Sequence, residues 1–240
     1  MEKQGIIRKQ VPNAITLMNL LSGSLAVIFV LSGNVSDAAL LLALSAVFDF
    51  FDGFIARLLG VSTGLGRELD SLADVISFGL APSLFLFELL RHNPASPFSG
   101  IAQELIPYSA LLIAAFSAYR LAVFNLDTRQ HNSFIGLPTP ANAILLVSLS
   151  LASLYDTGML SRLAGSYWLQ MAIIPFSSFM LVSDIPMIAL KFSHGYGFKQ
   201  NMEKYLLLAL CIAILLIFKL GGLVLIIPAY ILVSFFTLKR

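Results

Sequence analysis

The sequence predicts an all-α integral membrane protein with about eight transmembrane helices, both termini cytoplasmic and a short interfacial segment at the amino end. Three observations carry that expectation. The 240 residues are 58% hydrophobic and only 12% charged, with a mean hydropathy of +0.88, whereas a soluble domain carries about 25% charged residues. Apolar runs approaching the roughly 20 residues that cross a bilayer recur along the whole chain. The 15 lysines and arginines lie mostly on alternate sides of those runs.

Taken in order, Met1–Pro12 is polar but holds Ile6, Ile7 and Val11. It fits an interfacial helix on the inner leaflet or a plain cytoplasmic tail. The run from Ala14 to Leu31 is long and lacks a small-residue cleavage site, so it reads as a retained first span, 14–33, rather than a signal peptide. Ser32-Gly33-Asn34 closes it, and a second span follows at 38–58. A third, 69–90, ends at the turn-forming Arg91-His92-Asn93-Pro94. The fourth is 106–126. Gly136-Leu137-Pro138-Thr139-Pro140 reads as a rigid structural turn leading into the fifth, 138–156. The sixth is 167–190. The last two, 203–219 and 221–238, are parted only by Lys219-Leu220-Gly221-Gly222. With no internal repeat or low-complexity tract, residues 1–240 read as one membrane-embedded domain.

Orientation follows from charge. With a cytoplasmic amino terminus, twelve basic residues face inward: Lys3, Arg8, Lys9, Arg57, Arg67, Arg120, Arg129, Lys191, Lys199, Lys204, Lys239 and Arg240. Only Arg91, Arg162 and Lys219 face outward. That bias is the positive-inside pattern, and it puts Tyr155, Tyr167 and Trp168 at the outer aromatic belt. The reading is a multi-pass protein of the cell (inner) membrane. A net charge of +2 gives no ground for a nucleic-acid partner. The single Cys211 excludes a disulfide framework. His92, His131 and His194 read as surface residues, and Lys191, Lys199 and Lys204 as contacts to anionic lipid.

Four aspartates interrupt this apolar chain at Asp49, Asp52, Asp70 and Asp74. An ionised carboxylate at mid-membrane depth costs roughly 2.5–3.5 kcal/mol, so four unpaired ones cost on the order of 10 kcal/mol. Residues at i, i+3, i+4 and i+7 share a helix face. Asp49, Asp52, Gly53 and Ala56 therefore form one stripe with Arg57 at its margin, and Gly66, Asp70 and Asp74 form another. The short linker between them makes the two helices antiparallel neighbours, and their acidic faces can converge at the cytoplasmic end. An all-oxygen carboxylate site suits Mg²⁺ or Mn²⁺. Gly53 and Ala56 leave a slot for a bulky phosphorylated ligand, and Arg57 can neutralise a phosphate. Together these parts describe a pyrophosphate site. Asn13, Thr16 and Asn19, three apart on the first span, fit contacts to cytosine or ribose and equally fit interhelical polar packing.

Asp49-x2-Asp52-Gly53-x2-Ala56-Arg57-x8-Gly66-x3-Asp70-x3-Asp74 resembles the signature of the CDP-alcohol phosphotransferases, with every fixed position present. The resemblance implies a helical membrane fold with a cytoplasm-facing site. It implies two divalent cations on Asp49, Asp52, Asp70 and Asp74, with Asp74 as general base. It also places Gly53, Arg57 and Thr63 against the CDP-lipid, and implies a homodimer. Three further stretches, Val11–Leu20, Ser117–Asn125 and Phe134–Ala141, look like the family's phosphatidylserine synthase branch. Val123 departs from it, standing where the branch pattern has a second arginine.

The reaction implied by that branch transfers the phosphatidyl group of CDP-diacylglycerol to L-serine and releases CMP. Arg120 could contact the serine carboxylate, or snorkel to the interface. Asn125 could supply an amide, or cap its helix. The alternatives are glycerol 3-phosphate or inositol phosphate as acceptor. Both carry a phosphate and call for more basic residues beside the aspartates than the sequence offers. Intramembrane prenyltransferases lack the D-G-x-x-A-R continuation. A cation-coupled transporter would call for a broken helix, and Asp49–Arg57 contains no proline.

Overall fold

The computed structural model describes residues 2–61, 63–126, 134–155, 158–188 and 201–238. It is an all-α bundle whose helices fall where the apolar runs lie. Helix α1 spans Glu2–Leu31, α2 Val35–Leu59, α3 Gly64–Arg91 and α4 Ile101–Leu126. Next come α5 Thr139–Tyr155, a short α6 Met159–Ala164, α7 Tyr167–Val182, α8 Met202–Phe218 and α9 Leu223–Leu238. Residues 10–31, α2, α3, α4 and the stretch Met202–Thr237 are long and apolar enough to cross a membrane, whereas α5 and α7 are apolar but shorter, at 17 and 16 residues.

Local chemistry explains the first two turns. Gly33, at φ +80°, follows α1, and Asn34 N–H reaches back to the Phe29 carbonyl at 2.9 Å. Asn34 then caps α2 by accepting from Asp37 N–H and donating to the Asp37 carboxylate. At the far end of α2, Gly60 adopts the left-handed conformation and its N–H meets the Ala56 and Arg57 carbonyls. Thr63 caps α3 by accepting from Gly66 N–H at 3.0 Å. The chain turns back over this short connection, and α2 and α3 both pack against α1 rather than along each other.

Immediately after Asp74, α3 widens into a π-helical turn, Val75–Leu80. Pro82 has no N–H to continue an α ladder, and Ala81 N–H reaches Ile76 O, five residues back. The turn is packed closely: a Cβ on Gly23 of α1 would collide with Ser77, and one on Gly79 would lie 3.1 Å from Ser117 Cβ of α4.

Leu207 and Ile227 belong to one hydrophobic cluster, although a continuous helix would hold them about 30 Å apart. The chain therefore reverses between α8 and α9, at Lys219–Gly222, where Lys219 takes φ +52°. The larger core cluster unites Val30, Phe85, Leu86, Leu90, Ile113, Leu146 and Leu149. Around the perimeter Leu21, Ile28, Phe50, Leu58 and Leu216 stay exposed, as a bilayer-facing surface requires.

Three expectations change. The amino-terminal segment is not separate, because α1 runs unbroken from Glu2 through Pro12. The span expected at 167–190 stops at Val182, where the chain turns extended and Pro186–Met187 pairs antiparallel with Phe134–Ile135. Tyr167 is buried rather than in an interfacial belt, packing against Phe98, while Tyr155 and Trp168 are exposed. His131, His194, Arg129, Lys191 and Lys199 lie outside the described residues.

Candidate metal and phosphate site

The aspartates meet as their spacing requires. Single carboxylate oxygens of Asp49, Asp70 and Asp74 lie within 4.8 Å of one another. Asp52, one turn along α2, is 6% exposed and lies within electrostatic range of Asp49 and Asp70. Among the described residues no lysine or arginine forms an ion pair with any of the four. Asp70 Oδ1 is buried without a hydrogen-bond partner. Such an orphaned carboxylate oxygen, among like charges with oxygen donors only, fits a hard divalent cation.

Helix α1 supplies the polar support. Thr16 Oγ1 donates to Asp52 Oδ2 at 2.6 Å. Asn19 is fully buried and donates from Nδ2 to Asp74 Oδ1 at 3.3 Å. Its backbone carbonyl accepts from Ser45 Oγ and Ser77 Oγ, and its Oδ1 accepts a short bond from Ser45. One amide thus ties α1 to both aspartate-bearing helices. That is the packing alternative for Asn19, turned to fixing the orientation of Asp74.

Beside the carboxylates opens a cleft of about 210 Å³, lined among others by Asn13, Thr16, Asp52, Gly53, Ala56 and Gly66. A Cβ on Gly53 would meet nothing nearer than Arg57 Nη1 at 3.9 Å. Packing does not demand glycine there, and the vacant volume belongs to the cleft. Gly66 differs: its Cβ would press on Thr63 Oγ1 at 3.0 Å and Asn13 Oδ1 at 3.2 Å. Thr63 lines the cleft while capping α3. Arg57 is exposed near the cleft beside Gly53, and Arg67 joins the lining. By sequence Arg67 reads only as an inward-facing charge, although its place next to Gly66 at the start of α3 is a usable signal.

The two acceptor candidates separate. Asn125 donates from Nδ2 to Ser71 Oγ at 2.8 Å, so it braces α4 against the residue after Asp70. Arg120 is only 9% exposed, and its Nε lacks a partner. It points into protein, so the snorkelling alternative is excluded. Buried polar atoms without partners also occur on Ser117, Asn142, Ser177 and Ser178. Of these the sequence analysis names only Ser117, as the head of the Ser117–Asn125 stretch, although a lone amide such as Asn142 in an apolar run is a signal in itself.

Comparison with known proteins agrees with this geometry. Residues 9–183 match the family described as CDP-alcohol phosphatidyltransferase. The CDP-diacylglycerol--serine O-phosphatidyltransferase of Bacillus subtilis is 36% identical over 140 residues, covering 58% of this chain and 75% of the relative. The protein of the same name from Mycobacterium bovis is 31% identical over 221 residues, covering 88% and 72%. An archaetidylserine synthase of Methanothermobacter thermautotrophicus is 33% identical over 158 residues, covering 65% and 62%.

Proposed function

The chain belongs to the CDP-alcohol phosphatidyltransferase family, and from that premise we propose that it transfers the phosphatidyl group of CDP-diacylglycerol to the hydroxyl of L-serine. The observation carrying this reading is the oxygen cluster of Asp49, Asp70 and Asp74 beside a cleft lined by Thr16, Asp52, Gly53 and Gly66. The names of the relatives support serine as acceptor.

In this reading the serine hydroxyl oxygen bonds to the phosphatidyl phosphorus as the bond from that phosphorus to the CMP oxygen breaks. CMP leaves with the electron pair. Asp74 takes the hydroxyl proton, in an orientation held by Asn19. Asp49, Asp52, Asp70 and Asp74 would hold two divalent cations, Mg²⁺ or Mn²⁺, which when bound neutralise the pyrophosphate and the departing charge. Thr16 holds Asp52, and Gly53 and Ala56 leave room for the CDP moiety. Arg57 and Thr63 contact the phosphates and the nucleotide together with Asn13. Arg120 binds the serine carboxylate, and Asn125 fixes α4 beside Ser71. The acyl chains remain in the bilayer while cytidine and serine come from water, so the site faces the cytoplasm at the inner interface. The functional unit is a homodimer.

A phosphorylated acceptor such as glycerol 3-phosphate or inositol phosphate calls for several basic groups together. Arg120 is the one buried lysine or arginine among the described residues. Helix α2 runs without a break through Asp49–Arg57, which disfavours a cation transporter. Purified protein supplied with CDP-diacylglycerol, Mg²⁺ and separate alcohols tests the reading by CMP release. Release with L-serine is expected; release with glycerol 3-phosphate and none with serine would overturn it.

A further inference from the structure

Three hydrogen bonds and close contacts set the heights of the helices around Asp74. Asn125 meets Ser71, and Ser117 packs on Gly79. These fix α4 antiparallel to α3 and bring Arg120 level with Ile76, two residues beyond Asp74. Ser150 Oγ of α5 donates to the Phe85 carbonyl of α3 at 3.4 Å. Helices α5 and α3 run parallel, so eight residues back along each puts Asn142 level with Ser77. Leu137 N–H bonds to the Met180 carbonyl at 2.8 Å, which draws the end of α7, with Ser177 and Ser178, within about one turn of the same height. Tyr230 packs in one cluster with Leu145 and Met180.

Near that height Asn142 is fully buried, and neither its Nδ2 nor its Oδ1 has a partner. Arg120, at 9% exposure, has an unpartnered Nε, and the buried Ser177 and Ser178 have unpartnered hydroxyls. Buried polar atoms are normally paired. Here several on three helices are not, and the height Arg120 and Asn142 share is that of the residues just after Asp74.

We propose that Asn142 is the residue that recognises the acceptor as an α-amino acid, completing with Arg120 a pocket for its zwitterion. This deepens the serine reading and rests on it. A primary amide carries a donor and an acceptor a little over 2 Å apart. Asn142 Oδ1 accepts from the ammonium and Nδ2 donates to the carboxylate, whose second oxygen meets Arg120. The hydroxymethyl group is then left to reach toward Asp74. Ser177 and Ser178 offer hydroxyls to the same ligand. An acceptor lacking either charged group forfeits half of the Asn142 contacts.

The test uses full-length protein and CMP release, with L-serine varied at saturating CDP-diacylglycerol and Mg²⁺. Asn142→Leu should raise the serine KM at least tenfold while CDP-diacylglycerol binding stays within twofold. Its Tm should hold or rise, because an unpaired buried amide gives way to an apolar group of similar size. Asn142→Asp keeps the ammonium acceptor and loses the donor, and should raise the serine KM while weakening inhibition by 3-hydroxypropionate more than that by ethanolamine. A serine KM within twofold of wild type in both variants would overturn the proposal. So would a fall in Tm accompanied by equal losses of donor and serine binding, the mark of a structural amide. Wild-type protein that ignores L-serine fails the parent reading instead, before any variant is made.

Discussion

Thr16 on α1 donates a 2.6 Å hydrogen bond to Oδ2 of Asp52 on α2, so a carboxylate of the signature is oriented by a residue outside it. The bond fills one acceptor position on Asp52 and leaves the other oxygen for a ligand. A bond to a charged group contributes roughly 1.5–3 kcal/mol. Thr16→Val keeps the shape and removes the donor. It should raise the apparent KM for CDP-diacylglycerol by about tenfold or more, and Thr16→Ser should recover most of the loss. Steady-state kinetics of CMP release check both, and an unchanged KM in Thr16→Val would remove Thr16 from the site.

Asp49→Asn and Asp70→Asn should each lower turnover at least about 100-fold, since each removes one charge from a small oxygen set. Their stability should respond with a distinctive sign. In EDTA the variants lose like-charge repulsion among buried carboxylates and should melt no lower than wild type. With Mg²⁺ the wild type should gain Tm through linkage to binding, and the variants should gain little. Thermal unfolding with and without Mg²⁺ reads this directly. Full wild-type activity in EDTA would discard the metal site altogether.

Two glycines should behave in opposite ways. Gly23→Ala pushes a methyl group into Ser77, and overpacking of this kind costs about 1–3 kcal/mol. Its Tm should fall. Gly53→Ala meets only the end of Arg57 at 3.9 Å, and alanine is the better helix former by about 1 kcal/mol. Its Tm should hold or rise while CDP-diacylglycerol binding weakens. Equal donor binding in Gly53→Ala and wild type would show that the slot is not used.

Binding and chemistry should separate between Arg57 and Asp74. Arg57→Ala should weaken CDP-diacylglycerol binding with the smaller effect on turnover at saturation. Asp74→Asn should retain much of that binding and lose turnover. Near-normal turnover in Asp74→Asn at saturating substrate would exclude it as the base.

The buried hub at Asn19 makes a test of support rather than contact. Asn19→Ala removes the donor to Asp74 and the acceptor of the Ser45 side-chain bond. It leaves buried groups unpaired at about 1–3 kcal/mol each, so both Tm and turnover should fall. A drop in turnover with unchanged Tm would make Asn19 a substrate contact instead.

The aspartate constellation was legible in the sequence because its logic is local. Asp49 and Asp52 share one stripe and Asp70 and Asp74 another by helical periodicity alone, and a short connection between the two helices brings the second stripe back to the height of the first. Charge in an apolar run is costly enough to be noticed without any structure. Hydropathy likewise located the helices, since apolar runs in a bilayer have few alternatives to helix. What periodicity could not supply was contact between helices distant in sequence. That Thr16 reaches Asp52, that Asn19 reaches Asp74, and that Arg120 is buried in protein rather than exposed all depend on helix rotation and height. Those are set by close approaches such as Gly23 on Ser77 and Gly79 on Ser117, and by the π-turn that Pro82 leaves after Asp74. The early end of α7 at Val182 is legible in part, because Asp184 and Pro186 cannot continue an apolar helix and a proline turns the residue before it extended; what the sequence does not show is that Ser183–Ile188 finds its partners in the Phe134–Ile135 strand and the Tyr230 and Ser234 side chains of α9.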